Sequence, residues 1–308
     1  MQELEMVSKI QSLRKERDAI ILAHNYQPSE VQEIADIVGD SFALSRAAAK
    51  IDKQVIVFCG VHFMAESAKI LSPEKTVLLP APDAGCPLAD CITPQALSQM
   101  KAEHPEAAVV CYINTSASVK AESDVCCTSS NAVKIVSSLD CGEVLFVPDS
   151  NLGAYVAARV PDKRIIRWPG HCIVHSRITV QDVMAAKAAL PGAKLLMHPE
   201  VSPEAVAYAD FIGSTAAIIK YARESKDQEF IIGTEMGILE SLKGSNPSKR
   251  FYLLNQRLLC VNMKKTTLTQ ICRCLENMDG EVTVDEETRL KAYSCLKKMM
   301  EISAVGAL

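Results

Sequence analysis

One pattern in this sequence occurs three times. Each copy opens on a histidine or a tyrosine after an apolar run and closes on a hydroxyl residue 17 positions later, and the copies are residues 24–41, 112–129 and 198–215. A cysteine follows each copy, 62, 60 and 62 positions after its first residue: Cys86, Cys172 and Cys260. A repeat of this kind predicts three similar structural units of about 86 to 88 residues each.

The units share a predicted element order, β-α-β-α-β. Unbroken apolar runs, typical of parallel strands covered on both faces, predict strands at residues 19–23, 54–59 and 76–79, at 107–112, 143–147 and 164–168, and at 194–197, 229–232 and 251–254. Alternating strands and helices predict parallel sheets with right-handed crossovers. We therefore predict an α/β fold of three similar three-layer αβα domains, arranged with pseudo-threefold symmetry around a central site. Their predicted bounds are 1–88, 89–176 and 177–261.

Local helix signals add detail to this prediction. In the first unit, Val31, Ile34, Ile37 and Val38 form a helical stripe that ends at Gly39. Ser29, with Gln32 three residues later, fits a capping box. Helices are also expected at residues 3–17, in each unit, and at 268–275 and 286–302. Periodicity leaves open whether the tail, residues 262–308, packs on the first unit.

Charge and hydropathy limit the functional classes. The net charge is −4 and the pI about 5.9, so the chain lacks the basic footprint of a nucleic-acid-binding protein. No apolar run approaches the roughly 18 residues of a membrane span, and the charged N-terminal segment is not a secretory signal. We therefore expect a cytoplasmic protein. In a cytoplasmic protein, twelve cysteines indicate metal binding, catalysis or buried thiols rather than disulfides.

The repeated residues are expected to converge. Ligands of open α/β sheets bind beyond the carboxyl ends of the strands, where His24, Tyr112 and His198 end the first strands. The segments after the second strands, residues 60–62, 149–151 and 234–236, lie at the same edge. The hydroxyl residues Ser41, Ser129 and Thr215 are predicted to begin helices, whose free N–H groups bind anions, although capping alone explains a single such residue. We favour a ligand with several carboxylates or a phosphate.

The cysteines point to a cluster. No C-x-x-C pair occurs, so zinc-finger and ferredoxin spacings are absent. Cys86, Cys172 and Cys260, one per repeat, are placed to hold three irons of a [4Fe–4S] cluster and leave the fourth open as a Lewis acid. The other cysteines, including the Cys126–Cys127 pair, fit buried thiols better. His62, His104 and His171 fit structural roles, and His175 stays undecided.

Ten segments of the sequence resemble those of the quinolinate synthase family. They run in order through nearly the whole chain: LAHNYQ (22–27), GDS (39–41), GCPLAD (85–90), YINTSASVKAESDVCCTSSNA (112–132), PDSNLG (148–153), WPGHCIVH (168–175), HPE (198–200), GST (213–215), GTEMG (233–237) and CVNMKK (260–265). The family has three similar αβα domains around a central [4Fe–4S] cluster, in agreement with the repeat. A C-x-x-C-x-x-C run found near the last ligand in some members is missing here, so its redox switch is not expected.

The resemblance also implies an activity. The family condenses iminoaspartate (iminosuccinate) with dihydroxyacetone phosphate to quinolinate, with loss of phosphate and two waters, in NAD synthesis. It implies Cys86, Cys172 and Cys260 as cluster ligands. It implies as substrate-binding residues His24, Ser41, Tyr112, Asn114, Ser129, His198, Glu200 and Thr215. Tyr26 matches the catalytic tyrosine, and we expect His24, His198 and Glu200 to act with it as acids and bases, with Glu200 near the open iron.

Two alternatives stay open from the sequence. One is another [4Fe–4S] hydro-lyase that uses the same Lewis-acid chemistry, and the other is a non-catalytic iron–sulfur redox sensor. In the family's pathway an L-aspartate oxidase or dehydrogenase supplies the unstable imine, so a functional link to such an enzyme is expected.

Overall fold

The computed structural model describes residues 2–305, and it contains three parallel four-stranded sheets, one in each repeat. The strand order is the same in all three, with the second strand at one edge, followed by the first, third and fourth. The first sheet comprises β1 (Ala19–His24), β2 (Ile37–Gly39), β3 (Val55–Cys59) and β4 (Thr76–Leu78). The second comprises β5 (Ala108–Tyr112), β6 (Val125–Cys127), β7 (Glu143–Val147) and β8 (Arg164–Arg167). The third comprises β9 (Lys194–Met197), β10 (Phe211–Ile212), β11 (Glu229–Gly233) and β12 (Arg250–Leu253).

Helices connect the strands and flank the sheets, which confirms the predicted α/β class of three similar αβα units. They are α1 (Gln2–Glu16), α2 (Ser29–Ile34), α3 (Ser41–Ala48), α4 (His62–Leu71), α5 (Pro94–Glu103), α6 (Ala117–Ala121), α7 (Ala132–Ser137), α8 (Ser150–Ala157), α9 (Val180–Ala189), α10 (Pro203–Val206), α11 (Thr215–Glu224), α12 (Ile238–Ser245), α13 (Leu268–Asn277) and α14 (Glu286–Ala304). All five residues of β3 are buried, as expected for a strand covered on both faces.

Each unit has one more strand than the sequence predicts. The predicted helical stripe through Ile37 and Val38 is wrong, because the helix α2 ends at Ile34 and β2 follows. Ile37 pairs in parallel with Leu22, and Gly39 pairs with His24. The short edge strands β6 and β10 repeat this arrangement in the other units. Pairing with a strand some 15 residues away decides the conformation of these segments, so their own periodicity is overridden.

The predicted capping box of Ser29 and Gln32 is also wrong. Pro28 precedes α2, and no side chain caps its first turn. The buried amide of Gln32 instead donates hydrogen bonds to three backbone carbonyls, those of Asn25 at 3.0 Å, Gln27 at 2.9 Å and Gly237 at 3.1 Å. Gln32 therefore joins the loop after β1 to the third unit.

The tail divides between two units. The helix α13 packs on α1, and their buried residues Ile10, Ile271 and Leu275 belong to one apolar cluster. The connecting segment bonds to the edge strand of the first sheet through Val282 N–H and Val77 O, at 2.9 Å. The helix α14 packs on α6 and β6 of the second unit and also contacts α4. The unit bounds at residues 88, 176 and 261 stay predictions, and residue 1 and residues 306–308 lie outside the described residues.

No helix between residues 2 and 305 combines the length and the apolar composition needed to cross a bilayer.

Candidate active site

One cavity, which is partly open to solvent, is lined by residues from all three units. Every site residue named from the sequence lies in its wall: His24, Tyr26, Ser41, Cys86, Tyr112, Asn114, Ser129, Cys172, His198, Glu200, Thr215 and Cys260. The carboxyl ends of the three sheets therefore converge on one site, as the repeat predicts.

The three units meet directly beside this cavity. The hydroxyl of Ser130 donates a hydrogen bond to the carboxylate of Asp40 at 2.9 Å, and its oxygen lies 2.8 Å from the hydroxyl oxygen of Ser214. Asp40 and Ser214 are also the N-cap residues of α3 and α11. The contacts of Ser130 therefore hold the starts of both helices. These contacts set the positions of the two helix ends relative to each other and to the turn of the second unit that holds Ser130.

The predicted hydroxyl residues differ in their positions. Ser41 and Thr215 are the first residues of α3 and α11, with Asp40 and Ser214 as the caps, so neither hydroxyl is used for capping. Ser129 does not begin a helix, because it lies in a turn and α7 begins at Ala132. That part of the prediction is wrong. Ser129 lines the cavity all the same, and its hydroxyl contacts Nε2 of His198 at 3.1 Å.

The three cysteines of the repeat lie in loops that follow the fourth strands. All three are partly buried and face the cavity. Burial raises the pKa of Cys86 to about 12, and it also raises the pKa of Cys172 and of Cys260. Three sulfur donors around one cavity form the soft ligand set that iron–sulfur clusters use, and each thiol loses its proton when a metal binds.

Two buried carboxylates hold the cysteine loops. The backbone N–H of Cys172 donates a hydrogen bond to Asp149 Oδ2 at 3.2 Å, and that of Cys260 donates to Glu235 Oε1 at 3.0 Å. Glu235 also forms an ion pair with Lys264, with 3.0 Å between Nζ and Oε1. Asp149 and Glu235 follow β7 and β11, in the segments that the sequence places at this edge. The sequence did not single them out because their partners are backbone groups of distant loops.

Glu200 lies between two histidines. Its Oε2 is 2.7 Å from His175 Nδ1 and 3.3 Å from His198 Nδ1, and the two imidazole rings stack with centroids 4.7 Å apart. Burial favours the neutral carboxyl, but the two imidazoles outweigh that effect and hold the pKa of Glu200 below its usual range. Burial lowers the pKa of His198, with Glu200 opposing. His175, undecided from the sequence, is therefore a site residue.

Tyr26 is held by two hydroxyl groups. Its phenol oxygen lies 2.9 Å from Thr215 Oγ1 and 2.8 Å from Thr234 Oγ1, and Thr234 is in turn 2.8 Å from His175 Nε2. Burial raises the pKa of Tyr26, so the phenol keeps its proton. A continuous polar chain thus runs from Tyr26 through Thr234 and His175 to Glu200.

His24 is positioned as a neutral donor. Its Nδ1 accepts a hydrogen bond from the backbone N–H of Tyr26 at 3.1 Å, and the network therefore assigns the proton to Nε2. Burial, assisted by the charge of Lys264, lowers the pKa of His24 to about 3. At neutral pH this ring therefore offers one N–H donor and carries no charge.

Three polar atoms in the cavity wall have no hydrogen-bond partner among the described residues: Glu200 Oε1, Asn114 Oδ1 and His175 Nδ1. Buried polar atoms are normally paired. An unpaired carboxylate oxygen and an unpaired amide oxygen at one cavity indicate that a ligand completes the site.

Comparison with known proteins shows the family to which this chain belongs. A family model described as Quinolinate synthetase A protein matches residues 8–301. The quinolinate synthase of Clostridium kluyveri is 60% identical over 302 residues, which cover 98% of this chain and 100% of that protein. The quinolinate synthase of Alkaliphilus metalliredigens is 55% identical over 302 residues, which cover 98% of this chain and 100% of that protein. That of Dehalococcoides mccartyi strain CBDB1 is 52% identical over 299 residues, which cover 97% of this chain and 99% of that protein. The chain therefore belongs to the Quinolinate synthetase A protein family.

Proposed function

We propose that this protein condenses iminoaspartate with dihydroxyacetone phosphate to quinolinate, releasing phosphate and two waters, as a transferase of NAD biosynthesis. The observation that carries the proposal is the convergence of all twelve candidate residues on one cavity. Membership of the family supports the product. An L-aspartate oxidase or dehydrogenase is the functional partner that would supply the imine.

Cys86, Cys172 and Cys260 would hold a [4Fe–4S] cluster through three irons. Their chemistry supports this assignment, because three thiols on one cavity are the ligands that such clusters take. When bound, the cluster supplies a Lewis-acidic iron with an open coordination position. All twelve cysteines are free thiols, which is usual in a reducing compartment and supports a cytoplasmic location.

The helix starts at the cavity suit anionic substrates. The first residues of α3 and α11, Ser41 and Thr215, bring free backbone N–H groups and a positive dipole end to the wall. The two substrates carry two carboxylates and a phosphate between them. Ser41, Ser129 and Thr215 are the hydroxyls that would bind these groups, and Tyr112 and Asn114 would complete the pocket.

Proton transfer is assigned to the chain of polar groups that ends at Tyr26. The phenol can give its proton to a substrate oxygen and recover it through Thr234 and His175, whose contacts are 2.8 Å each. Glu200 is held as a carboxylate by its two histidines, and its unpaired Oε1 can accept a proton from substrate. His24 would orient a carbonyl or hydroxyl oxygen through its Nε2–H.

The test is anaerobic cluster reconstitution, followed by assay with the two substrates. We expect a brown protein with about four irons that forms quinolinate. Replacement of Cys86, Cys172 or Cys260 by serine should abolish both properties. Cys91→Ser is the matched control, because Cys91 follows Cys86 by five residues and is exposed. A cluster without quinolinate would favour the hydro-lyase or sensor alternatives, and a colourless, fully active protein would exclude all three.

A further inference from the structure

We propose that the cluster-free protein binds one zinc ion through Cys172, His175 and Glu200. One ligand atom from each of these residues lies within 4.8 Å of the other two. A thiolate, an imidazole and a carboxylate, with a fourth position left to water, form a ligand set that zinc accepts. The spacing C-x-x-H, residues 172–175, brings two of the three ligands from one short segment.

The orientation of His175 favours a metal ligand. Its Nε2 contacts Thr234 Oγ1 at 2.8 Å, the kind of outer contact that fixes the ring of a metal-binding histidine. That contact leaves Nδ1 facing Glu200. The two atoms, Nδ1 and Oε2, are 2.7 Å apart, yet Nδ1 makes no aligned hydrogen bond to any described residue. An imidazole nitrogen and a carboxylate oxygen this close to each other, with the thiol of Cys172 beside them, can separate slightly to bind one ion between them.

Glu200 gives an independent indication of a ligand. Its side chain is about 4% exposed, and Oε1 has no hydrogen-bond partner within residues 2–305. The carboxylate thus keeps free acceptor capacity in a buried position, which is costly unless something binds there. Hydrogen bonds to their backbones hold Glu200 and Cys172 in place. The side-chain amide of Asn151 donates to the carbonyl of Glu200 at 2.9 Å, and the carboxylate of Asp149 accepts from the N–H of Cys172.

Zinc and the cluster exclude one another in this arrangement. Both the zinc ion and the cluster would use the sulfur of Cys172 in the same cavity, and zinc binding releases the thiol proton to solvent. Zinc bound before the cluster is assembled therefore blocks its insertion. The competition between zinc and the cluster rests on the proposed function, because it requires Cys172 to be a cluster ligand. The zinc site itself does not depend on that function.

The site is tested on the full-length chain freed of metal with a chelator under reducing, anaerobic conditions. Zinc is titrated against a chromophoric chelator, and cobalt(II) absorption reports thiolate ligation. We expect one zinc per chain. Each of three ligand variants should weaken zinc binding by more than about 10-fold: Cys172→Ser, His175→Gln and Glu200→Gln. Loss of an outer-shell partner already costs about 10-fold in metal affinity, and loss of a direct ligand should cost more. Circular dichroism establishes that each variant is folded.

Cys86→Ser and Cys260→Ser are the discriminating variants. Both should lose the cluster and keep the zinc affinity of the parent, because neither residue contributes to the mononuclear site. The proposal is overturned if no zinc binds, if His175→Gln and Glu200→Gln bind it unchanged, or if the two cysteine variants lose it. Failure of the parent to assemble any cluster would refute the proposed function and leave the zinc result intact.

The competition has its own measurement. Protein loaded with one zinc should take up less than about a tenth of the iron of the metal-free protein during reconstitution, and chelator treatment should restore uptake. Equal iron uptake by the zinc-loaded and metal-free proteins would refute competition.

Discussion

Asp149 accepts a hydrogen bond from the backbone N–H of Cys172, with 3.2 Å between Oδ2 and the amide nitrogen. Its other oxygen accepts from Leu152 N–H at 2.7 Å and caps α8. Glu235 holds the loop of Cys260 in the same way, at 3.0 Å. In the first unit a backbone contact, from His62 N–H to Ala84 O at 2.8 Å, replaces the carboxylate. Each cysteine loop is thus tied to the segment after the third strand of its sheet.

Asp149→Asn tests this positioning role. An amide offers one acceptor oxygen where the carboxylate offers two, so one of the two backbone N–H groups loses its partner. We expect the reconstituted variant to lose iron to a chelator about 10-fold faster than the parent, in line with the loss of an outer-shell partner. Asp285→Asn, at the exposed cap of α14, is the control. Equal rates of iron loss in the two variants would argue against the role.

Tyr26→Phe removes one hydroxyl and leaves the ring in place. If the phenol transfers a proton, quinolinate formation should fall by about 10²- to 10⁴-fold, with a smaller effect on phosphate release. Tyr208→Phe, an exposed tyrosine of the third unit, should retain full activity. Unchanged turnover in Tyr26→Phe would remove this residue from the mechanism.

Lys264→Met tests the buried ion pair beside Cys260. The side chain of Glu235 is 1% exposed and that of Lys264 is 21% exposed, so the variant leaves a buried carboxylate without its cation. We expect a loss of about 2–4 kcal/mol in the free energy of unfolding of the cluster-free protein, less than for a fully buried pair. Urea denaturation measures it.

The neighbouring residue supplies the control. Lys265 pairs with Asp83, whose side chain is 73% exposed, so Lys265→Met should cost about 1 kcal/mol or less. The double variant Glu235→Gln with Lys264→Met should recover part of the lost stability, because no unpaired charge stays buried. Equal losses in Lys264→Met and Lys265→Met would contradict the burial argument.

The free energy of unfolding of the cluster-free protein should fall at acid pH because His24 resists protonation in the folded state. Burial lowers the pKa of His24 to about 3 in the folded state, against about 6.5 in the unfolded chain. Between these values the unfolded chain binds a proton that the folded protein does not, so stability falls as the pH falls below about 6.5. The contribution of His24 to the slope of the unfolding free energy against pH approaches about 1.4 kcal/mol per pH unit.

His24→Gln should therefore flatten the dependence of unfolding free energy on pH between pH 6 and pH 4.5. Part of the slope should persist, because burial also lowers the pKa of His198. His62→Gln is the control, since the side chain of His62 is 50% exposed. A slope unchanged by His24→Gln would show that this ring titrates normally.

Much of this molecule is determined by the sequence alone. The 17-residue spacing of each copy and the cysteine that follows it fix three units of one topology. Apolar runs locate nine of the strands, because a parallel strand covered on both faces needs apolar side chains throughout. Loops at the carboxyl ends of such strands form the ligand site of an α/β sheet, and this rule brought together residues as distant in sequence as His24 and Cys260.

Only the tertiary structure decided the remaining features. The edge strand Ile37–Gly39 depends on pairing with β1, and Gln32 bonds carbonyls of the first and third units instead of capping its own helix. His175 became a site residue through its contacts with Thr234 and Glu200. The physical reason is common to all three. Periodicity reports which side chains share a face within one segment, whereas these hydrogen bonds join groups of separate segments that become neighbours only in the folded chain.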